Sequence, residues 1–466
     1  MKSLTTKKKD FKMPHTYVIL SGLLILVSML THIIPSGHYD RVKDLATGKM
    51  VVVPGSFIFA PGKTPGFFDL FLNLQRGYVD AADIMFLIIF AYGFVYMLIK
   101  NGTLDAFLGA LIKVMGDKIH WLIPISMLTF GLLSSTMGIY EEVYGLIPVF
   151  IGISLALGYD IVVGGSIVFI GVVTGFAAST LNPFSIGIAQ GISGVPMFSG
   201  ITYRIVIFII CEIVSISYVM WYAHKIKKDP TKSVVYGLEL ETLHMKDISE
   251  LKNMKVTHRQ KLCLFLFILT IASLLVGTTK WGWYINEIAS MFLMMMIIVG
   301  LVGGYTPTQI AKTFIESTKT MVPSMFVVGF TRGILFIMKD AMISDAIVFY
   351  LVRFLEGQGK IFAAMGMLGL QNIIHIFITG SSSQATITMP IMAPTAELIG
   401  LSKQTAVLAY QFGNGFSNMF WPTACALECG LMGVPLNKWY KFVAPLFGIT
   451  VILQIIFMII AVMIKY

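Results

Sequence analysis

Two adjacent carboxylates, Glu141 and Glu142, stand in the stretch STMGIYEEVYGLIP (135–148), inside a region from 121 to 203 with no Lys, Arg or His. At bilayer depth a carboxylate costs roughly 2.5–3.5 kcal/mol on insertion scales, so such residues mark substrate, ion or proton pathways. Opposing a helix dipole accounts for only about 0.3–1 kcal/mol when exposed. Successive helical residues point about 100° apart. One glutamate is therefore expected to line a site while the other caps, protonates or pairs. The chemistry available is the binding of an ammonium, a guanidinium, a proton or Na⁺.

Four further stretches interrupt apolar segments with Ser, Thr, Asn or Gly: SSTMG (134–138), STLNP (179–183), TGSSSQA (379–385) and GNGFSN (413–418), the last running on to WPT (421–423). Backbone that leaves the helix inside a bilayer must be buried in protein or line a wet cavity. Half-helix N-termini attract carboxylates, and unwound carbonyls suit Na⁺. The candidate substrate contacts are Ser134, Ser135, Thr136, Glu141, Glu142, Ser179, Thr180, Asn182, Ser382, Ser383, Gln384, Asn414, Ser417, Asn418 and Thr423. The candidate ion-coupling residues are Glu141, Asn182, Asn418 and Glu428, with Na⁺ or H⁺ as the ion and no other cofactor. Taken singly, a Ser or Thr in a membrane helix usually bonds its own i−4 carbonyl, and a lone Asn-Pro is a kink. Their occurrence as two matched pairs favours a site. Arg332, inside an apolar segment, is equally consistent with a functional group and with a structural ion pair. Glu212 and Glu397 also stand within or beside apolar segments.

The elements that must position these residues are membrane helices. The chain has 466 residues, 56% of them hydrophobic and 12% charged, with mean hydropathy +0.82; soluble domains average about 25% charged. The net charge of +10 sits in loop lysines and gives no reason to expect nucleic acid. Cys211, Cys263, Cys425 and Cys429 lie in apolar segments and form no disulfide framework; Cys425 and Cys429 lack further metal ligands nearby. The eight histidines are scattered, and no GxxxxGK[ST] phosphate loop occurs. These absences speak against an enzyme and a nucleotide-driven pump.

Crossing segments are expected near 16–34, 82–100, 161–190, 200–224, 262–279, 285–303, 322–339, 403–432 and 441–464. Re-entrant hairpins are expected at 119–157 and 361–400, a polar loop at 35–66, and amphipathic stretches near 67–79, 105–118, 307–319 and 345–360. The expected organisation is a tail at 1–14, a first repeat at 15–224, a loop at 225–260, a linking span at 261–284 and a second repeat at 285–466. Gly138 and Pro148 recur as Gly380 and Pro390, Asp105 as Asp345, and Pro183 and Pro196 as Pro422 and Pro435. Five crossings separate the two hairpins, so the repeats are expected to be inverted. Lys and Arg concentrate in 1–14, 100–118, 225–261, 304–321 and 433–441. That bias predicts a cytoplasmic N-terminus and 225–260 loop, with the C-terminus outside. Two hairpins and two broken helices converging near the midplane are the architecture of a secondary transporter; a channel or receptor fits an inverted repeat less well.

The stretches EEVYGLIPVFIGISLALGYD, GFAASTLNPFSIGIAQGI, GFTRGI and TITMPIMAPTAELIGLSKQTAVLAYQFGNGFSNMFWPT resemble the YfcC-type branch of the anaerobic dicarboxylate carrier family, in the ion transporter superfamily. The resemblance spans nearly the whole chain. It implies an all-α, polytopic, inverted-repeat elevator carrier, commonly a homodimer, that moves a small molecule across the cell membrane. Members are described as dicarboxylate carriers or as basic amino-acid exchangers, including arginine/ornithine exchangers. The family's hairpin tips and broken-helix loops correspond to Ser134–Gly138, Ser179–Pro183, Thr379–Gln384 and Gly413–Asn418. Asn414 stands where the family pattern has Asp, and PTAC (422–425) where it has PTSG, so substrate or ion choice is expected to depart at the second broken helix. By repeat matching, Glu141 and Glu142 face Ser383 and Gln384, which makes the expected site acidic on one side only, with Lys403 and His375 the only basic side chains in 361–437. A basic amino acid suits such a site best. A Na⁺- or H⁺-coupled dicarboxylate carrier and a neutral amino-acid or peptide carrier are the alternatives.

Overall fold

The computed structural model describes residues 15–43, 50–115, 121–238, 256–281, 283, 285–355 and 358–466. The expected tail at 1–14, residues 239–255 of the 225–260 loop and the end of the 105–118 stretch lie outside them. The chain is an all-α polytopic membrane protein. Six described helices are at least 18 residues long and apolar enough to cross a bilayer, and a bent pair makes a seventh. One of the six, 360–377, is expected from the sequence as a hairpin arm. The two crossings expected to be broken, beginning at 161 and 403, each consist of shorter pieces.

The first half opens with α1 (Thr16–Ile33), α2 (Phe67–Asp80), α3 (Ala82–Lys100) and α4 (Thr103–Met115). The segment expected as a polar loop carries four short strands among its described residues. β1 (Gly37–His38) pairs antiparallel with β4 (Ile58–Phe59), and β2 (Arg41–Lys43) with β3 (Met50–Val52). Asp345 anchors this flap, accepting from Tyr39 N at 3.0 Å and from Arg41 Nη2 at 2.8 and 2.9 Å. The half continues with α5 (Leu122–Met137), a 3₁₀ turn (Glu141–Leu146), α6 (Ile147–Ala156), α7 (Ile161–Ala177), a π turn (Pro183–Gly187), α8 (Ile188–Ile192) and α9 (Ile201–Lys228).

The second half contains α10 (His258–Lys280), α11 (Ile285–Val302), α12 (Pro307–Asp340), α13 (Ile343–Leu355), α14 (Lys360–Phe377), α15 (Ser381–Leu398), α16 (Lys403–Gly415), a 3₁₀ turn (Phe416–Met419), α17 (Pro422–Met432) and α18 (Leu436–Met463). The expected amphipathic piece at 307–319 and span at 322–339 are one helix, α12, bent by 43° at Pro323. Capping boxes start α10 and α12: Thr257 with Gln260, and Thr306 with Gln309. Each satisfies orphan N–H donors at a helix start.

Contacts show that the halves run in opposite directions. Gly165 abuts Met432, Gln411 Nε2 donates to Phe176 O at 2.6 Å, and Gln190 Nε2 donates to Gln404 Oε1 at 3.1 Å. Ascending through α7 and α8 thus means descending through α17 and α16. The same holds where α2 and α3 meet α12. Arg76 bonds Asp340 at 2.6 Å, Asp80 pairs with Arg332 at 3.4 Å, and Lys100 bonds Glu316 at 2.8 Å. Two assemblies result: a scaffold of α1–α4 and α10–α12, and a core of the two hairpins, the two broken helices, α9 and α18, with α13 packed between α12 and the second hairpin. Every residue of α7 is buried. A helix apolar all round belongs in such a core.

Candidate functional site

Each hairpin turns where its sequence permits. Gly138 ends α5 with φ +75° and donates its N–H to Ser134 O at 3.0 Å. A Cβ there would lie 2.5 Å from Asn182 Oδ1, so the tip touches the first broken loop only because residue 138 is glycine. Glu142 turns back, its Oε2 accepting from Tyr140 N at 2.7 Å. It is the capping member of the pair. Glu141 faces a cavity instead.

That cavity, about 140 Å³, lies between core and scaffold. Tyr140, Glu141 and Tyr144 line it from the first hairpin, Thr379, Gly380 and Ser383 from the second tip, and Asn418, Thr423 and Glu428 from the second broken helix. Ile84, Val328, Thr331 and Arg332 close it from the scaffold. Three lining atoms are buried without a protein partner: Tyr140 Oη, Thr423 Oγ1 and Glu428 Oε2. The other Glu428 oxygen accepts from Tyr144 Oη at 2.5 Å. Buried polar atoms are nearly always bonded, so unpaired ones converging on a cavity mark where a ligand or water binds. Val327 is a wall both of this cavity and of a vestibule of about 670 Å³ bordered by Tyr17, Tyr92, Met432 and Asn437.

One sequence expectation needs correction. Acidic character does not come from the first repeat alone: Glu428, from the second, lines the same cavity as Glu141. Arg332, equally consistent on sequence with a functional group and a structural pair, reaches the cavity from α12. Repeat matching follows positions in the chain, and could not show that α17 and α12 bring their side chains to the first hairpin.

The remaining candidates fall into two groups outside this lining. In the first repeat, Ser135 Oγ lies 3.0 Å from Thr180 Oγ1 and accepts from Thr180 N at 3.1 Å. Ser179 Oγ bonds Phe176 O, and Ser134 Oγ is buried without a partner. Asn182 Oδ1 caps the π turn, accepting from Phe184 N and Ser185 N at 2.9 and 3.2 Å, while its amide donates to Ser179 Oγ. Thr136 bonds only Leu132 O within its own helix. Ser382 Oγ reaches Phe184 O at 3.1 Å.

The second group is an amide network around a buried imidazole. His375 Nδ1 lies 3.1 Å from Gln384 Oε1, and Nε2 3.1 Å from Asn418 Oδ1. Asn414 Nδ2 donates to Gln384 Oε1 at 3.0 Å, and Ser381 Oγ to Asn414 Oδ1 at 2.7 Å. Gln384 Nε2 donates to Gln371 Oε1 at 2.7 Å. Ser417 Oγ bonds Asn372 Oδ1 at 2.7 Å. Of the candidates, the structure thus gathers Glu141, Ser383, Asn418, Thr423 and Glu428 around one cavity. Sequence reasoning passed over Tyr140 and Tyr144 as lining residues and Gln371 and His375 as supports, and had Thr379 only as the start of the second tip. Gln371 and His375 were detectable as polar residues four apart in an apolar helix, a spacing that puts both on one face.

A family model described as DcuC, C4-dicarboxylate anaerobic carrier, matches residues 13–463. A protein of Escherichia coli strain K12 with the name "Putative basic amino acid antiporter YfcC" is 30% identical, with 97% of each chain covered. An uncharacterized protein of Haemophilus influenzae is 28% identical over 98% of each. Among solved structures, the Alcanivorax borkumensis YdaH transporter matches 97% of this chain and 99% of its own, at TM-score 0.44 and 14% identity. MtrF of Neisseria gonorrhoeae, from a class of antimetabolite efflux pumps, matches 97% and 96%, at TM-score 0.43 and 15% identity.

Proposed function

The chain belongs to the C4-dicarboxylate anaerobic carrier family, DcuC, and on that premise we propose that this transporter exchanges a basic amino acid of the arginine or ornithine kind. One observation carries the reading: Glu141 and Glu428 line the same cavity, and Glu428 keeps a buried oxygen without a partner. An ammonium or guanidinium supplies the donors those oxygens lack, in charge-assisted hydrogen bonds. A dianion would have to enter beside two carboxylates. The substrate's α-carboxylate is placed at the second tip. There α15 begins at Gly380 with no side-chain cap, leaving its first N–H groups free for an anion. The name of the Escherichia coli relative points the same way.

The family description and Arg332 favour a second reading, a dicarboxylate carrier coupled to Na⁺ or H⁺. In either case the core carries substrate past the scaffold, in a homodimer seated in the cell membrane with its N-terminus in the cytoplasm. A thermal-shift panel on purified protein, followed by counterflow in proteoliposomes, separates the readings. Arginine, ornithine or lysine should stabilise the protein and drive counterflow. Stabilisation by succinate alone would transfer the assignment to the second reading.

A further inference from the structure

We infer that Arg332 is the fixed counter-charge of the empty carrier: it faces the core's cavity carboxylates from the scaffold, yields to a cationic substrate, and disfavours return of an empty core. The inference rests on the carrier reading above, in which core and scaffold move apart.

Arg332 lies on α12 beyond its bend and lines the cavity opposite Glu141 and Glu428. It and Asp83 both act electrostatically on Glu141. Among the described residues its one ion-pair partner is Asp80, at 3.4 Å, and both side chains are well exposed, 39% and 43%. A guanidinium has five N–H donors, so this single, loose pair leaves donors for the cavity. No Lys or His lines it. The charged groups facing Arg332 are therefore Asp80 and Asp83 from the scaffold and Glu141 and Glu428 from the core.

The division between scaffold and core gives this arrangement a consequence. Asp80 and Arg332 stay together on the scaffold, whereas Glu141 and Glu428 belong to the core. An empty core leaving this position takes its carboxylates away from Arg332, the one fixed cation lining the cavity among the described residues. A core loaded with a cationic substrate takes its compensation along. Arg332 keeps Asp80, but the core's carboxylates, Glu428 buried among them, are left without a counter-charge, and an uncompensated buried charge is costly, so the loaded core moves and the empty one stays. Exchange follows without a separate gate. The same geometry makes Arg332 a discriminator: it competes with a cationic substrate for Glu141 and leaves a neutral one unaffected.

The test reads the position of the core without substrate. The four native cysteines are buried, and Asn437 on the core borders the vestibule, so Asn437→Cys reports by maleimide labelling whether the vestibule is open. In empty protein, Arg332→Gln should lower labelling and Arg332→Lys should keep it. Asp80→Asn should keep or raise it, because the guanidinium is then free for the core. Arginine affinity should tighten about fivefold or more in Arg332→Gln, the lower end of ordinary coupling between sites. It should weaken in Asp80→Asn. Unchanged labelling in Arg332→Gln overturns the inference. So do shifts of the same sign in Arg332→Gln and Asp80→Asn, which mark a structural pair, and weaker arginine binding in Arg332→Gln, which marks a grip on the substrate. If labelling shifts as expected but no basic amino acid protects the wild type, the counter-charge stands and the substrate assignment alone falls.

Discussion

The two hairpin tips occupy equivalent places in an inverted repeat, yet their chemistry is opposite. Behind the second tip, His375, Gln371, Gln384, Asn414 and Asn418 bond one another. Past the first tip, Tyr140, Glu141 and Tyr144 turn toward a cavity where oxygens remain unpaired. A satisfied polar network rigidifies, and an unsatisfied one is held open for a ligand. In the proposed site the second tip supplies position and helix N–H groups, while charge comes from the first tip and from Glu428.

Breaking the rigid tip should have the largest effect. His375→Ala leaves Asn418 Oδ1 without its ring partner and Gln384 Oε1 with Asn414 Nδ2 alone, at roughly 1–3 kcal/mol for a buried group left unpaired. A fall of several degrees in Tm, with folded protein still recoverable at low temperature, is expected; an unchanged Tm would mean that water replaces the ring.

At the open tip, Glu141→Gln and Glu428→Gln should each weaken binding of a basic amino acid by about tenfold to a hundredfold. That corresponds to a lost charge-assisted hydrogen bond of roughly 1.5–3 kcal/mol. Titration calorimetry with arginine measures it. Glu142→Gln, whose acceptor serves Tyr140 N, should affect stability more than affinity. Equal loss of affinity in Glu142→Gln and Glu141→Gln would erase the division of labour between the two glutamates.

Asn182→Ala sharpens the comparison within the first repeat. Its Oδ1 caps two N–H groups of the π turn, and loss of an N-cap costs about 0.5–2 kcal/mol. The unfolding free energy from denaturant titration should fall by that amount, and transport should fall as the tip contact at Gly138 loosens. Thr136→Val stands at the small end. Thr136 bonds only its own helix, so stability should stay within about 0.5 kcal/mol and counterflow should stay near wild type. A large loss of counterflow in Thr136→Val would place substrate at the first tip's outer face.

Much of the fold was legible because membrane helices announce themselves through apolar length, and their breaks through Ser, Asn, Gly and Pro. The starts of the broken pieces at Pro183 and Pro422, and the hairpin turn at Gly138, follow from proline's missing N–H and glycine's tolerance of positive φ. The short strands of 37–59 were not legible. Two- and three-residue ladders carry too little periodicity, and what holds them is Asp345, about 300 residues away in the chain.

What the sequence by itself determined is a set of local facts: which segments are apolar, where each must break, and that Glu141 and Glu142 cannot both face one ligand. Tertiary structure alone decided which of the two faces the cavity, since the 3₁₀ turn and the Tyr140 N–H claim Glu142. It alone brought Glu428 and Arg332 to the same cavity from segments far along the chain. The physical reason is that helical breaks and dipoles are properties of neighbouring residues, whereas a cavity's charge is a sum over every element that borders it. For this protein that sum is set by antiparallel packing of two repeats that each contribute to both core and scaffold, an arrangement no stretch of sequence contains.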